Sequence, residues 1–226
     1  MPLRQLFRSS VGRKTVMALS GLILFGFVVA HLLGNLLIFV GPEALNAYAV
    51  KLRTLGPMLW IVRLVLLASV LLHIETSVRL TIENRKARPQ PYAVYRSGET
   101  TFAARTMMVS GVLLLAYLIY HLLHFTFRLV HPECSNTTDA LGHHDVYQMA
   151  VLSFQQWPIV LAYLVGVWAV CVHLSHGIGS SPQTLGLNNE HTLSLFRWLG
   201  RLMAGAIFVG YASIPLSVLL GVVRLR

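Results

Sequence analysis

The sequence predicts an all-α integral membrane bundle of five transmembrane helices, with the N-terminus cytoplasmic and the C-terminus outside. Three observations lead there. Of 226 residues, 55% are apolar and only 12% charged, with a mean hydropathy of +0.65, too few charges to clothe a water-soluble globule of this size. Five stretches reach the roughly 20 apolar residues that a bilayer crossing needs: Thr15 to Val40, Met58 to Ile82, Thr106 to Val130, Trp157 to Ser180 and Trp198 to Val223. The basic residues between them are distributed unequally, which sets the orientation.

The first stretch is longer than the apolar region of a cleavable signal and contains His31 and Asn35, so it is expected to stay in the mature protein. With the N-terminus inside, the cytoplasmic side receives twelve basic residues: Arg4, Arg8, Arg13, Lys14, Arg79, Arg85, Lys86, Arg88, Arg96, Arg105, Arg197 and Arg201. The outer side receives six: Lys51, Arg53, Arg63, Arg128, Arg224 and Arg226. The segment after the second span, Glu83 to Ala104, is the most basic. The positive-inside bias and attraction to anionic lipid account for it, and a docking face for a cytoplasmic partner is the alternative. The third connection, His131 to Gln156, carries Glu133, Asp139 and Asp145 with no Lys or Arg, as an outer loop should. The connections are too short for a second domain, so residues 1–226 are expected to form one transmembrane unit.

A net charge of +10 raises nucleic acid as a partner, but the basic residues sit at helix ends, without a basic groove interleaved with aromatic stacking platforms. Membrane lipid is the expected partner instead. Cys134 in a connection and Cys171 within a span lie at different depths, unable to meet in a disulfide and too few for an iron–sulfur cluster.

A histidine in hydrocarbon is costly enough to need a partner: a hydrogen bond to another helix, a proton path or a metal. His31 lies seventeen residues beyond Lys14 and His121 sixteen beyond Arg105, so on two helices running outward they share an outer depth, about 25 Å along at about 1.5 Å per residue. The second and fourth spans run inward. His73 stands about two turns before the basic segment and His173 nine residues before Pro182, so these two share an inner depth. The chain also repeats a device. Ser20-Gly21, nine residues, His31-Leu32-Leu33 recurs as Ser110-Gly111, nine residues, His121-Leu122-Leu123. Each glycine then falls about 15 Å below its own histidine, near the level of His73 and His173, where the missing side chain lets the helix pass close to a large flat ligand; close packing of helices is the alternative use of such glycines.

Two neutral imidazoles on facing helices fill both axial positions of a haem iron, and a bundle core is where such sites are built. Four matched histidines therefore point to two stacked haems b that carry electrons and do not bind oxygen. His124 and His176 stand three residues after His121 and His173 and compete as alternative ligands. His121 is preferred through the repeat and His173 through its deeper place in the apolar run; His124 and His176 are expected to bond propionates, backbone or water. His131, His143, His144 and His191 read as loop or interface residues.

These residues resemble a known family: the chain is similar to the single-chain, five-helix, dihaem cytochrome b subunit of succinate dehydrogenases and fumarate reductases that work with menaquinone. The likeness covers nearly the whole chain. It rests on the two Ser-Gly-x9-His-Leu segments, Ser97-Gly98-Glu99-Thr100-Thr101, Gly41-Pro42-Glu43-Ala44-Leu45-Asn46, and His173 followed four residues later by Gly177. The resemblance implies that His73 and His173 ligate the haem near the cytoplasmic face and His31 and His121 the outer one. It also implies a bacterial cytoplasmic membrane, and a flavoprotein and an iron–sulfur subunit docked inside, whose electrons pass through the haems to quinone. Some family members carry a glutamate two residues before the fourth-span histidine as a proton path; this chain has Cys171 there. Glu75 is a substitute, against the simpler expectation of an i,i+4 pair with Arg79. Among the polar groups after span one, Glu43, Asn46, Lys51 and Arg53, which read as a solvated loop, Glu43 is the candidate for quinone proton exchange.

Two other readings compete. One is a cytochrome b anchor for a hydrogenase or formate dehydrogenase, which the Gly-Pro-Glu-Ala connection and the repeat disfavour. The other is a haem-free metal transporter using His121 with His124 and His173 with His176, which the scarcity of acidic residues in the spans disfavours.

Overall fold

The computed structural model describes residues 9–87, 102–135, 137–139, 141–189 and 191–225. Arg4, Arg8, Arg88, Arg96, Arg226 and Ser97-Gly98-Glu99-Thr100-Thr101 lie outside them. The described residues are helical apart from short turns and a single antiparallel bridge, Thr138 with His144. Five helices are long and apolar enough to cross a membrane, as the composition requires, and the protein is a multi-pass membrane protein.

Helix α1, Ser10–Asn35, starts where the Ser9 hydroxyl accepts from the Gly12 N–H at 3.0 Å, and runs on through a 3-10 turn, Leu36–Phe39. It ends at Gly41, whose φ of 134° only glycine adopts freely, and Pro42 opens α2, Pro42–Thr54. Gly56 and Pro57 repeat this break-and-start before α3, Pro57–Lys86. The connection read as a solvated loop is therefore a thirteen-residue helix. It places Glu43 exposed on its first turn and Asn46 buried, and its acidic start and basic end (Lys51, Arg53) suit the helix dipole.

After the single turn α4, Phe102–Arg105, comes α5, Met107–His121, which continues as a π turn, Leu122–Thr126. The span predicted to reach Val130 stops at Thr126 because Arg128 and His131 take left-handed backbone angles, φ 57° and 56°, and reverse the chain. One turn, α6, Pro132–Ser135, leads to α7, Val146–Phe154, capped by the Asp145 carboxylate, which accepts from the Gln148 N–H. Helices α8, Trp157–Thr184, and α9, Leu193–Leu219, complete the chain.

Call the end where α1 begins the near end and the end where it finishes the far end. Four helices stand as a square. Helix α3 packs on α1, α1 on α8 and α8 on α5; the fourth side is closed by the Thr81 hydroxyl donating to Met108 Sδ at 3.4 Å, from α3 to α5. Helix α9 lies outside, against α8. There a Cβ at Gly200 would stand 2.8 Å from Ser175 O and 3.0 Å from Gly179 N, so only glycine admits this approach of backbones. At the near end the Arg13 guanidinium donates to Glu83 at 2.6 Å, tying α1 to α3. At the far end the largest apolar cluster gathers around α7 and α8: Ile38, Tyr147, Val151, Phe154, Val160, Tyr163 and Ile214.

Candidate metal centre

Across the diagonals of this square, α1 to α5 and α3 to α8, the helices do not pack closely on one another, as is also true of the side from α3 to α5, and each diagonal is bridged by two histidines. His31 on α1 faces His121 on α5 with ring centres 5.8 Å apart; His73 on α3 faces His173 on α8 at 6.0 Å. His73 and His173 each stand sixteen residues in from the far-end starts of their helices, Pro57 and Trp157, which sets them at one level. The His31 and His121 rings lie toward the far end. Two imidazoles that share one metal through bonds of about 2 Å have ring centres roughly 6 Å apart. All four rings are half-buried.

The near pair is supported by the repeated Ser-Gly device, at the level the spacing predicts. Gly21 on α1 abuts His73: a Cβ there would stand 3.1 Å from Cε1 and 3.4 Å from Nδ1. Gly111 on α5 stands in the same relation to His173, with more room, 3.6 and 3.9 Å. The preceding serines follow the same plan, with Ser20 Oγ 3.4 Å from His73 Nδ1 and Ser110 Oγ 3.3 Å from His173 Nδ1. His73 Nδ1–H also donates to the Met17 carbonyl at 3.0 Å. A carbonyl only accepts, so the proton sits on Nδ1 and the lone pair on Nε2, the tautomer a metal-binding imidazole needs. Gly177 opens onto empty space.

The far pair has different neighbours. His31 stacks on Phe27 at 5.3 Å, while His121 Nδ1 lies 3.4 Å from the Tyr163 hydroxyl. The π turn sets His124 against α7 and α8: it is wholly buried, with Nδ1 3.0 Å from the Tyr163 hydroxyl and Nε2 3.1 Å from Ser153 Oγ. Its partners are thus protein side chains, where propionates, backbone or water were expected. Both nitrogens are engaged, which leaves no lone pair for a metal. His176 is half-buried near Arg197. His131, expected at a loop or interface, packs edge-on to His124 at 5.1 Å and pairs with Glu133. Tyr163 and Ser153 were not read from the sequence; a tyrosine inside an apolar span, which must find a hydrogen-bond partner, was the available signal.

The other polar groups have local roles. Arg79 and Glu75 form an i,i+4 ion pair, the simpler of the two expectations. Asn46 Nδ2 donates to Asp145 at 2.9 Å and its Oδ1 accepts from the Tyr147 N–H at 3.0 Å, clamping α2 to α7. Cys134 and Cys171 are both free and buried. His143 pairs with Asp139, and His144 Nδ1 meets the Thr137 carbonyl, so these neighbours do not converge. Among the described residues no three His, Cys, Asp or Glu side chains gather as one metal site; the two pairs are the arrangement available. A donor set of two imidazoles per level at about 6 Å, with a glycine beside each near ring, fits haem b. Comparison with protein-family models, curated proteins and solved structures gave no match.

Proposed function

We propose that this chain is the dihaem cytochrome b membrane subunit of a succinate:menaquinone oxidoreductase. In this reading it anchors a flavoprotein and an iron–sulfur subunit at the cytoplasmic face of a bacterial membrane and delivers succinate electrons to quinone. The observation that carries the dihaem reading is the bridging of both diagonals by histidine pairs, at 5.8 and 6.0 Å. Haem b held in this way supplies a one-electron iron couple with no open coordination position.

His73 and His173 would hold the near group and His31 and His121 the far one. Met17 O, Ser20 and Ser110 orient the near imidazoles, and Gly21 and Gly111 keep side chains off them. The near end is taken as cytoplasmic because, among the described residues, eight basic side chains fall there against five at the other. Succinate and menaquinone rest on the resemblance of the repeated Ser-Gly-x9-His segments and the Gly41–Asn46 connection. In that reading Glu43, exposed at the far end, exchanges protons with quinone.

The deciding experiment is a reduced-minus-oxidised spectrum of the purified chain with a haem determination: two haems b per chain are expected, and an absence of b-type absorption would sink the reading. Succinate added to membranes should then reduce both. Reduction by hydrogen or formate instead would keep the cytochrome and reject the partner.

A further inference from the structure

The far ligand His121 has no carbonyl of its own to fix its tautomer, yet a chain of buried groups leads from it to one. Ser153 Oγ lies 2.7 Å from the Met149 carbonyl, one turn back on α7. A carbonyl only accepts, so the serine proton points there. The serine oxygen then accepts from His124 Nε2–H at 3.1 Å. A neutral imidazole protonated on Nε2 has its lone pair on Nδ1, which accepts from the Tyr163 hydroxyl at 3.0 Å. With its single proton committed there, the Tyr163 oxygen accepts from His121 Nδ1–H at 3.4 Å. His121 Nε2 is left with the lone pair.

Every link points one way, and each direction follows from the one before it. Ser153 and His124 have no exposed surface and Tyr163 only 5%, so bulk water does not compete for these protons. Reversing any one bond would leave a buried donor or acceptor unpaired, which is costly.

We propose that Ser153, His124 and Tyr163 are positioning residues that transmit the direction of the Met149 carbonyl to His121, fixing it as an Nε2 ligand and enriching its electron density. This rests on the haem reading above. An imidazole whose Nδ1–H is bonded to an acceptor is a stronger donor to a metal and favours the oxidised iron. Breaking the chain should therefore raise the potential of the far component alone.

The test is a redox titration of the purified protein, following both spectral components in Tyr163→Phe, Ser153→Ala and the double variant. Tyr163→Phe should keep two haems and shift the far oxidised-to-reduced ratio about tenfold toward reduced, about 59 mV for one electron, with the near component unmoved. Ser153→Ala should shift it the same way by less. The double variant should equal Tyr163→Phe, because links in series do not add. If Tyr163→Phe loses the far haem, Ser153→Ala alone decides. An unmoved far potential with both haems retained, an equal shift of both components, or additive effects would overturn the proposal while leaving the dihaem reading intact. Native protein without haem b would instead overturn that reading.

Discussion

At the near end, His73 and His173 are held by neighbours on the adjacent helix, Ser20 and Met17 on α1 and Ser110 on α5, all within one turn of the repeated glycine. At the far end, the ring spacing is nearly the same, but His121 is reached through Tyr163 on α8 and Ser153 on a separate short helix. The near support is a sequence motif facing a histidine. The far support is an assembly of three elements, and it depends on the clamp that brings α7 into the bundle.

The sharpest way to break the comparison is Gly21→Leu. With His73 Cε1 only 3.1 Å from where a Cβ would stand, a leucine must push the ring away; on the proposed dihaem reading the near spectral component should then vanish while the far one persists in the same preparation. Gly111→Ala is the control: its Cβ would make ordinary contact with His173 at 3.6 Å, and both components should remain.

Gly166→Ala is the far-end counterpart, since the added methyl would run into the Tyr117 ring, which packs on both Tyr163 and His121. Overpacking of this kind costs about 1–3 kcal/mol, so thermal unfolding should come earlier and the far component should change before the near one. A near component that moves first would reverse the assignment of Tyr117 to the far site.

Asn46→Ala removes two bonds between α2 and α7, roughly 0.5–1.5 kcal/mol each. Hydrogen exchange in Val146–Phe154 should quicken, with α3 unchanged. If exchange is the same as in the native chain, the clamp is not what seats α7.

The smallest effect is one of pH. Burial, then the nearby Arg128 charge, holds the His144 imidazole below its ordinary value, and its Nε2 is buried with no hydrogen-bond partner. A group whose folded value is lowered adds stability above its unfolded value, about 6.5, and loses it as pH falls toward and through the folded one. Exchange protection of α7 should therefore weaken below about pH 6.5 and should do so less in His144→Gln. A profile that is flat in the native chain would remove His144 from the account.

Much of this is legible in the sequence. The five spans follow from apolar length, because backbone polar groups in lipid must be satisfied within the helix. The levels of the four histidines follow from the fixed rise per residue, and the glycines opposite His73 and His173 from the same arithmetic. Less legible were the helical form of the first connection, the early end of the third span and the fate of His124. A left-handed reversal at Arg128 and His131 is not written in hydropathy, and neither residue is a glycine. Asn46 reads as a loop residue until Asp145, 99 positions away in sequence, is seen to accept its hydrogen bond.

By itself, then, the sequence determined a five-span helical chain with histidines at two depths, since helix length and residue spacing are properties of a single segment. Which helices stand on the diagonals, which imidazole nitrogen is free, and that His124 bonds to Ser153 and Tyr163 were decided only by the tertiary structure. Those depend on side chains from α5, α7 and α8 meeting at one buried point, and hydrogen-bond direction there is set by partners no local pattern contains.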